Sequence, residues 1–329
     1  MKLPEEANRI AEDIRSMRIR GAGLIARSAV EALQIVARDS RAKDVESFVN
    51  ELTEAARILL QTRPTAVSLP NGIRYVMHRV NSGRSRALSV ETMRATAIQA
   101  AQDFIENAKT AVQKIGEIGA RRIVDGDILL THCNSGAAIE VMKTAWSQGR
   151  KFEVFVTETR PRFQGHITAR ELARAGIPVT LILDDAVRYF MQRVDKVIVG
   201  ADAVTANGAL VNKVGTSMVA LAAHEARRRV FVAAETYKFS PETMIGELVT
   251  IEDRDPSEII SDEQQRRIGS IKVLNPSFDV TPPEYIDLII TERGIIPPVG
   301  AILILEEVFG VVTPEELREY QTYSLEEEA

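Results

Sequence analysis

From Ile128 onward, short apolar runs alternate with helical stretches, and that alternation limits the chain to few architectures. The strand candidates are 128–132, 153–157, 178–183, 196–200, 229–234 and 287–290. Helix candidates at 136–147, 166–175, 184–192 and 216–227 lie between most of them. Strand–helix–strand order of this kind predicts a parallel sheet covered on both faces.

The chain upstream has a different period. Ala7, Ile10, Ala11 and Ile14 form an apolar stripe, as do Val45, Phe48, Val49, Leu52, Ala55, Ala56 and Leu59. The run from Leu88 to Ile118 has no proline and no glycine before Gly116, so it reads as one long helix or two. Arg121, Arg122, Asp125, Gly126 and Asp127 then break the apolar pattern. The expected fold is α/β: an N-terminal all-helical domain, 1–120, followed by a Rossmann-like parallel-sheet α/β domain, 121–329.

Composition excludes several classes. A net charge of −5 gives no footprint for nucleic acid. No apolar run approaches the roughly 20 residues that span a bilayer, and the polar N-terminus lacks a signal-peptide core. The single cysteine allows no intrachain disulfide and suits a reducing cytoplasm. The four histidines have no ligand spacing, so no metal site is expected.

Ligands of such sheets bind at the carboxyl ends of the strands. After the first strand come Cys133, Asn134, Ser135, Gly136 and Ala137. Ser135 is a plausible N-cap for the helix that follows. The free N–H groups and dipole of that helix start favour an anion, either a bound phosphate or a Cys133 thiolate. Read locally, Cys133 is more simply a small buried hydrophobe at a strand end. Asp202 follows the fourth strand, and Asp184-Asp185 reads as a helix cap. Asn207-Gly208 reads as a tight turn leading to Asn212 and Lys213, and Lys238 follows the next strand. In the helical half, Arg20-Gly21-Ala22-Gly23 opens a helix and can cradle an anion. Gly21 to Ala26 matches a dinucleotide fingerprint in form only, because no buried strand precedes it. Arg63 ends a helix before Pro64, where it either complements the helix dipole or meets a ligand.

Two anion cradles, Arg20–Gly23 and Ser135–Ala137 with Lys238, suggest a doubly phosphorylated ligand. No G-x-x-x-x-G-K-[ST] loop is present, so nucleotide hydrolysis is disfavoured. A thiol and a carboxyl, Cys133 and Asp202, suit proton transfer at carbon and oxygen. His132 is a rival base, but along a strand it faces away from Cys133.

The motifs Ile-Arg-Gly-Ala-Gly, Arg-Pro-Thr-Ala-Val, Leu-Thr-His-Cys-Asn-Ser-Gly-Ala-Ala, Glu-Thr-Arg-Pro, Gly-Ala-Asp, Asn-Lys-Val-Gly-Thr and Phe-Asp-Val-Thr-Pro-Pro-Glu-Tyr-Ile-Asp occur in order between Arg18 and Phe309. This set resembles the superfamily of aldose-1-phosphate isomerases and regulatory subunits of translation initiation factor 2B. Ile-Thr-Ala-Arg-Glu-Leu (167–172), Ala-Ala-Glu-Thr-Tyr-Lys-Phe (233–239) and Ile-Ile-Thr-Glu-Arg-Gly-Ile-Ile-Pro-Pro (289–298) point to its archaeal sugar-bisphosphate branch. The resemblance implies conversion of α-D-ribose 1,5-bisphosphate to D-ribulose 1,5-bisphosphate in nucleotide salvage, through a phosphoenolate. Cys133 would be the base and Asp202 the acid. Arg20, Gly21, Ala22, Gly23, Arg63, Ser135, Gly136, Ala137, Asn212, Lys213 and Lys238 would bind substrate. It also implies a homo-oligomer, a hexamer built from dimers, activation by AMP, and no metal or nicotinamide cofactor. Asn-Ser-Gly-Ala at 134–137 leans toward the methylthioribose-1-phosphate isomerase pattern. That activity and a non-catalytic regulatory subunit are the two alternatives.

Overall fold

The computed structural model describes residues 3–19, 21–63, 67–86 and 88–309. Helices come first: α1 (Glu5–Arg15), α2 (Ala22–Asp39), α3 (Val45–Leu60), α4 (Ser68–Ser85) and α5 (Val90–Ala120). Their apolar stripes meet in one core around Leu33, Phe48, Leu52, Leu59, Ile73 and Met93. Asp44 and Ser89 cap α3 and α5 by accepting the N–H groups of Ser47 and Thr92.

The run after Leu88 is one helix of 31 residues. Its last turns leave the helical core. Ile115 and Ala120 join the core beneath the sheet instead. Gly119 permits this approach, because a Cβ there would fall 2.5 Å from Val141 Cγ2.

The second half runs β1 (Ile128–Thr131), α6 (Gly136–Ser147), β2 (Glu153–Thr157), α7 (Gln164–Arg174), β3 (Val179–Ile182), α8 (Val187–Phe190), β4 (Lys196–Val199), β5 (Ala203–Val204), β6 (Leu210–Lys213), α9 (Thr216–Glu225), β7 (Arg229–Ala233), α10 (Asp262–Ile268), β8 (Phe278–Thr281), β9 (Leu288–Thr291), β10 (Gly294–Ile296) and α11 (Ala301–Phe309). The main sheet has seven strands in the order β10-β9-β7-β4-β1-β2-β3. All pairings are parallel except that of β10 with β9. Successive strand residues feed opposite cores. Leu129, Ile198 and Phe231 join the layer of α5, α6 and α7. Leu130, Val197 and Val230 join the layer of α8, α9 and α11. Both faces are therefore apolar, which is why these strands read as continuous runs.

Two segments depart from the sequence reading. The helix expected over 184–192 is broken into a 3-10 turn at Asp184–Ala186, the short α8, and a second 3-10 turn at Met191–Arg193. Asp184 caps no helix. Its carboxylate accepts the N–H groups of Thr159 (2.8 Å) and Arg160 (2.7 Å) and so fixes the loop after β2. A second, antiparallel sheet, β5-β6-β8, was not expected. β5 is two residues long and β6 is buried along its whole length, so neither shows a strand period. The turn at Asn207-Gly208 is present between them, closed by Gly208 N–H on the Thr205 carbonyl at 2.8 Å. Among the described residues, no helix is long and apolar enough to cross a membrane.

Candidate active site

β1 pairs with β2 on one side and β4 on the other, so the chain winds away from it in both directions. Such a switch point opens a crevice at the strand ends. A cavity of about 490 Å³ lies there, closed from the opposite side by the start of α2 and by Arg63. Gly21, Ala22, Gly23, Arg63, Cys133, Ser135, Gly136, Asp202, Asn212, Lys213 and Lys238 all line it. Arg20 lies outside the described residues. Ala137 does not line the cavity. It is 1% exposed and packs in the core beside Ala138 and Met142. Each helical residue turns the side chain by about 100°, so one step past Gly136 points inward.

Cys133 sits in left-handed backbone, φ 69°, which a non-glycine residue seldom adopts. Its surroundings hold it there. Its N–H donates to Thr159 Oγ1 at 2.9 Å, and its carbonyl accepts from Thr168 Oγ1 at 2.7 Å. Ser135 caps α6 as the sequence predicts, accepting the Ala138 N–H. The thiol itself departs from the expected thiolate. Burial pushes it up to about 12, with Asp202 adding and Lys213 opposing. Desolvation at this helix start outweighs the nearby cation and N–H group.

Asp202 responds to burial in the same direction. It is held above the usual carboxylate range although Lys238, Lys213 and Arg63 oppose the shift. The rival base is committed elsewhere. His132 Nε2 lies 2.9 Å from the Val214 carbonyl, which only accepts, so Nε2 carries the proton. Nδ1 then accepts from the Thr157 hydroxyl at 2.6 Å. Burial keeps this ring neutral, with its proton affinity lowered.

The cations are buried rather than ordinary surface charges. Lys238 is 6% exposed and pairs with Glu235 Oε2 at 2.7 Å. Burial alone would raise Glu235, but Lys238, a backbone N–H and the Tyr237 hydroxyl together hold the carboxyl low. Tyr237 Oη donates to Glu235 Oε1 at 3.0 Å, and a Cβ on Gly23 would lie 2.7 Å from that hydroxyl. The turn that carries Lys238 thus reaches the Gly21–Gly23 cradle. The loop after β7 folds toward α2, a long-range relation with no local signal.

Lys213 Nζ donates to the Ser277 carbonyl at 2.8 Å and lies 5.0 Å from the Phe278 ring centre. Asn212 donates to Thr216 Oγ1 at 3.0 Å. Asp279 accepts the N–H groups of Gly215 and Ser217 at the start of α9, and burial raises it to about 6. Arg63 pairs with Glu252 at 2.6 Å and also contacts the Met17 sulfur.

Gln164, Glu235 and Tyr237, which follow strands in the sequence, also line the cavity, and three lining residues escaped the sequence reading: Arg27, Arg162 and Arg254. Arg27 lies one helical turn past Gly23, a spacing that could have flagged it. Arg254 comes from a stretch without strand or helix period and gives no such signal. Among the described residues, no group of three His, Cys, Asp or Glu side chains gathers to hold a metal ion.

Comparison with known proteins adds a consistent picture. The model of the initiation factor 2 subunit family matches residues 18–298. Ribose 1,5-bisphosphate isomerase of Thermococcus kodakarensis is 57% identical over 311 residues, 94% of this chain and 97% of that one. Methylthioribose-1-phosphate isomerase of Geotalea daltonii is more distant, 38% identical over 89% of this chain and 87% of its own. The crystal structure of translation initiation factor eIF-2B from Pyrococcus horikoshii OT3 superposes with a TM-score of 0.76 at 31% identity, covering 91% of this chain and all of that one.

Proposed function

The chain belongs to the initiation factor 2 subunit family, and from that premise we propose that it is an aldose–ketose isomerase acting on α-D-ribose 1,5-bisphosphate. One observation carries the reading. Cys133 and Asp202 leave adjacent parallel strands into one cavity whose walls carry two buried lysines, Lys213 and Lys238, and four arginines that are more exposed. A regulatory subunit has no use for a thiol and a raised carboxyl facing a ligand-sized crevice.

The substrate's C1 phosphate prevents spontaneous ring opening, so an acid is needed at the ring oxygen. Asp202, favoured in its protonated form, supplies it. The Cys133 thiolate takes the proton from C2, and the C–H electrons form the C1–C2 double bond. The C1–O4 bond breaks, and O4 takes the Asp202 proton. The resulting phosphoenolate is reprotonated at C1 by the Cys133 thiol. The Asp202 carboxylate takes the O2 proton as the C2 carbonyl forms, giving D-ribulose 1,5-bisphosphate. Both groups end as they began.

The competent form pairs a thiolate with a carboxylic acid. It holds the same number of protons as a thiol with a carboxylate. Once Asp202 is protonated, its repulsion of the thiolate vanishes, and Lys213 and the Asn134 N–H remain to oppose burial. Activation by AMP, a hexamer built from dimers, and a role in nucleotide salvage belong to this proposal and are supported by the family resemblance.

Turnover of α-ribose 1,5-bisphosphate tests the reading, with and without AMP and beside methylthioribose 1-phosphate. Ribulose 1,5-bisphosphate is the expected product. Activity on the thioether alone would replace the substrate, and inactivity of folded protein on both would favour the regulatory subunit.

A further inference from the structure

Along the carboxyl edge of the sheet, the loops after β2, β1, β4 and β7 stand side by side. With about 4.8 Å between strands, the loops after β2 and β7 are roughly 14 Å apart. Cys133 and Asp202 emerge between them. The β7 end holds Lys238, with Gly23 and Arg27 on the facing helix. The β2 end holds Arg162, joined by Arg254 from the segment between β7 and β8.

These two arginines share one carboxylate. Glu258 Oε1 takes Arg254 Nη2 at 2.7 Å, Arg254 Nε at 3.1 Å and Arg162 Nε at 3.2 Å. Glu258 Oε2 is buried without a hydrogen-bond partner. Two guanidinium groups against one carboxylate leave net positive charge at this end. Nη1 of Arg254 and both Nη groups of Arg162 make no hydrogen bond among the described residues. Arg254 is anchored by its own N–H on the Asn275 carbonyl at 2.9 Å, so its position is set by the backbone.

We infer that Arg162 and Arg254 form the seat for one of the substrate's two phosphates, the one at the β2 end, with Glu258 as its counter-charge in the empty protein. The assignment rests on the sugar-bisphosphate reading above and names what discriminates a bisphosphate from a monophosphate. A phosphate dianion fits forked guanidinium donors better than a shared carboxylate oxygen does.

The test is calorimetric titration of the full chain with ribulose 1,5-bisphosphate, ribulose 5-phosphate and ribose 1-phosphate. Arg162→Gln and Arg254→Gln should each weaken bisphosphate binding about 10- to 100-fold. They should weaken one monophosphate similarly and leave the other within about twofold, because only one end is altered. Glu258→Gln should tighten bisphosphate binding, whereas a merely structural glutamate would weaken it or leave it unchanged. Arg162 is partly exposed, so its variant keeps the test open if Arg254→Gln misfolds. Normal bisphosphate binding by folded Arg162→Gln, or equal losses for both monophosphates, would overturn the assignment while sparing the substrate reading. Wild-type protein that prefers neither phosphate end and binds no bisphosphate would remove both.

Discussion

The Cys133 N–H donates to Thr159 Oγ1 at 2.9 Å, and the Thr159 N–H in turn donates to Asp184 Oδ1 at 2.8 Å. Both Cys133 and Thr159 have left-handed backbone. Three adjacent strand ends, β1, β2 and β3, are thereby tied in a row, and the reactive sulfur is at the end of the tie. Thr159→Val keeps the shape and removes the acceptor. It should cost about 1–2 kcal/mol of stability, the cost of one unpaired buried N–H. Urea unfolding measures that, and kcat should fall at least several-fold as the thiol wanders. An unchanged kcat would mean that Thr168 alone holds the loop.

Cys133→Ser and Asp202→Asn should keep near-normal ligand affinity while turnover drops about 10²- to 10⁴-fold, the usual worth of a positioned acid or base. The two differ in a second readout. If the residual reaction is run in D₂O, loss of the base slows solvent exchange at carbon in both directions. A Cys133→Ser variant with normal turnover would remove the thiol from the mechanism, leaving Asp202 to act with another base.

The thiol's proton affinity predicts a pH response. A cysteine raised to about 12 is almost wholly neutral at pH 8, with about one thiolate in 10⁴. Alkylation of the empty protein by iodoacetamide should therefore be slow at pH 8 and climb with pH through 10 without levelling. Levelling between about pH 9 and 10 would mean an ordinary thiol, with a proton affinity of about 8.5 to 9. The reactive form of the pair keeps its fraction between the two macroscopic proton affinities, so kcat/KM should be flat there. It should fall at lower pH, as Asp202 and Cys133 both become protonated.

Asn71 on α4 donates to the Tyr237 carbonyl at 2.9 Å and the Phe239 carbonyl at 2.8 Å, flanking Lys238. Its Oδ1 accepts from Arg74, which also pairs with Glu242 at 2.6 Å. Asn71→Ala strips partners from these buried groups and should cost about 2–4 kcal/mol. KM should rise more than kcat falls, because Lys238 is placed by this contact. Equal changes in Asn71→Ala and Arg74→Met with unchanged KM would limit the network to stability.

The parallel sheet was legible because both its faces are apolar: β2 occupies 153–157 as the sequence reads, and the others differ by a residue or two at their ends. Cys133 and Asp202 were legible through strand order alone, since each follows a recognisable strand. The approach of Gly23 to Tyr237 and Glu235 was not, because these residues converge only when α2 closes over the sheet edge. Arg254 was invisible for a related reason: its segment is held by backbone contacts to Asn275 rather than by a repeating pattern. Burial of the thiol also could not be read locally, because it depends on how many elements surround a helix start.

The long helix α5 begins in one core and ends in another, with Met93 packed among helices and Ile115 beneath the sheet. At 1.5 Å per residue it is a rod about 46 Å long. Severed at its exit from the helical core, either half would be left with a raw apolar face, including the groove on α6 that receives Gly119. The molecule should therefore melt as one cooperative unit, and a load applied to the helices is transmitted to the strand ends through a stiff beam rather than absorbed in a linker.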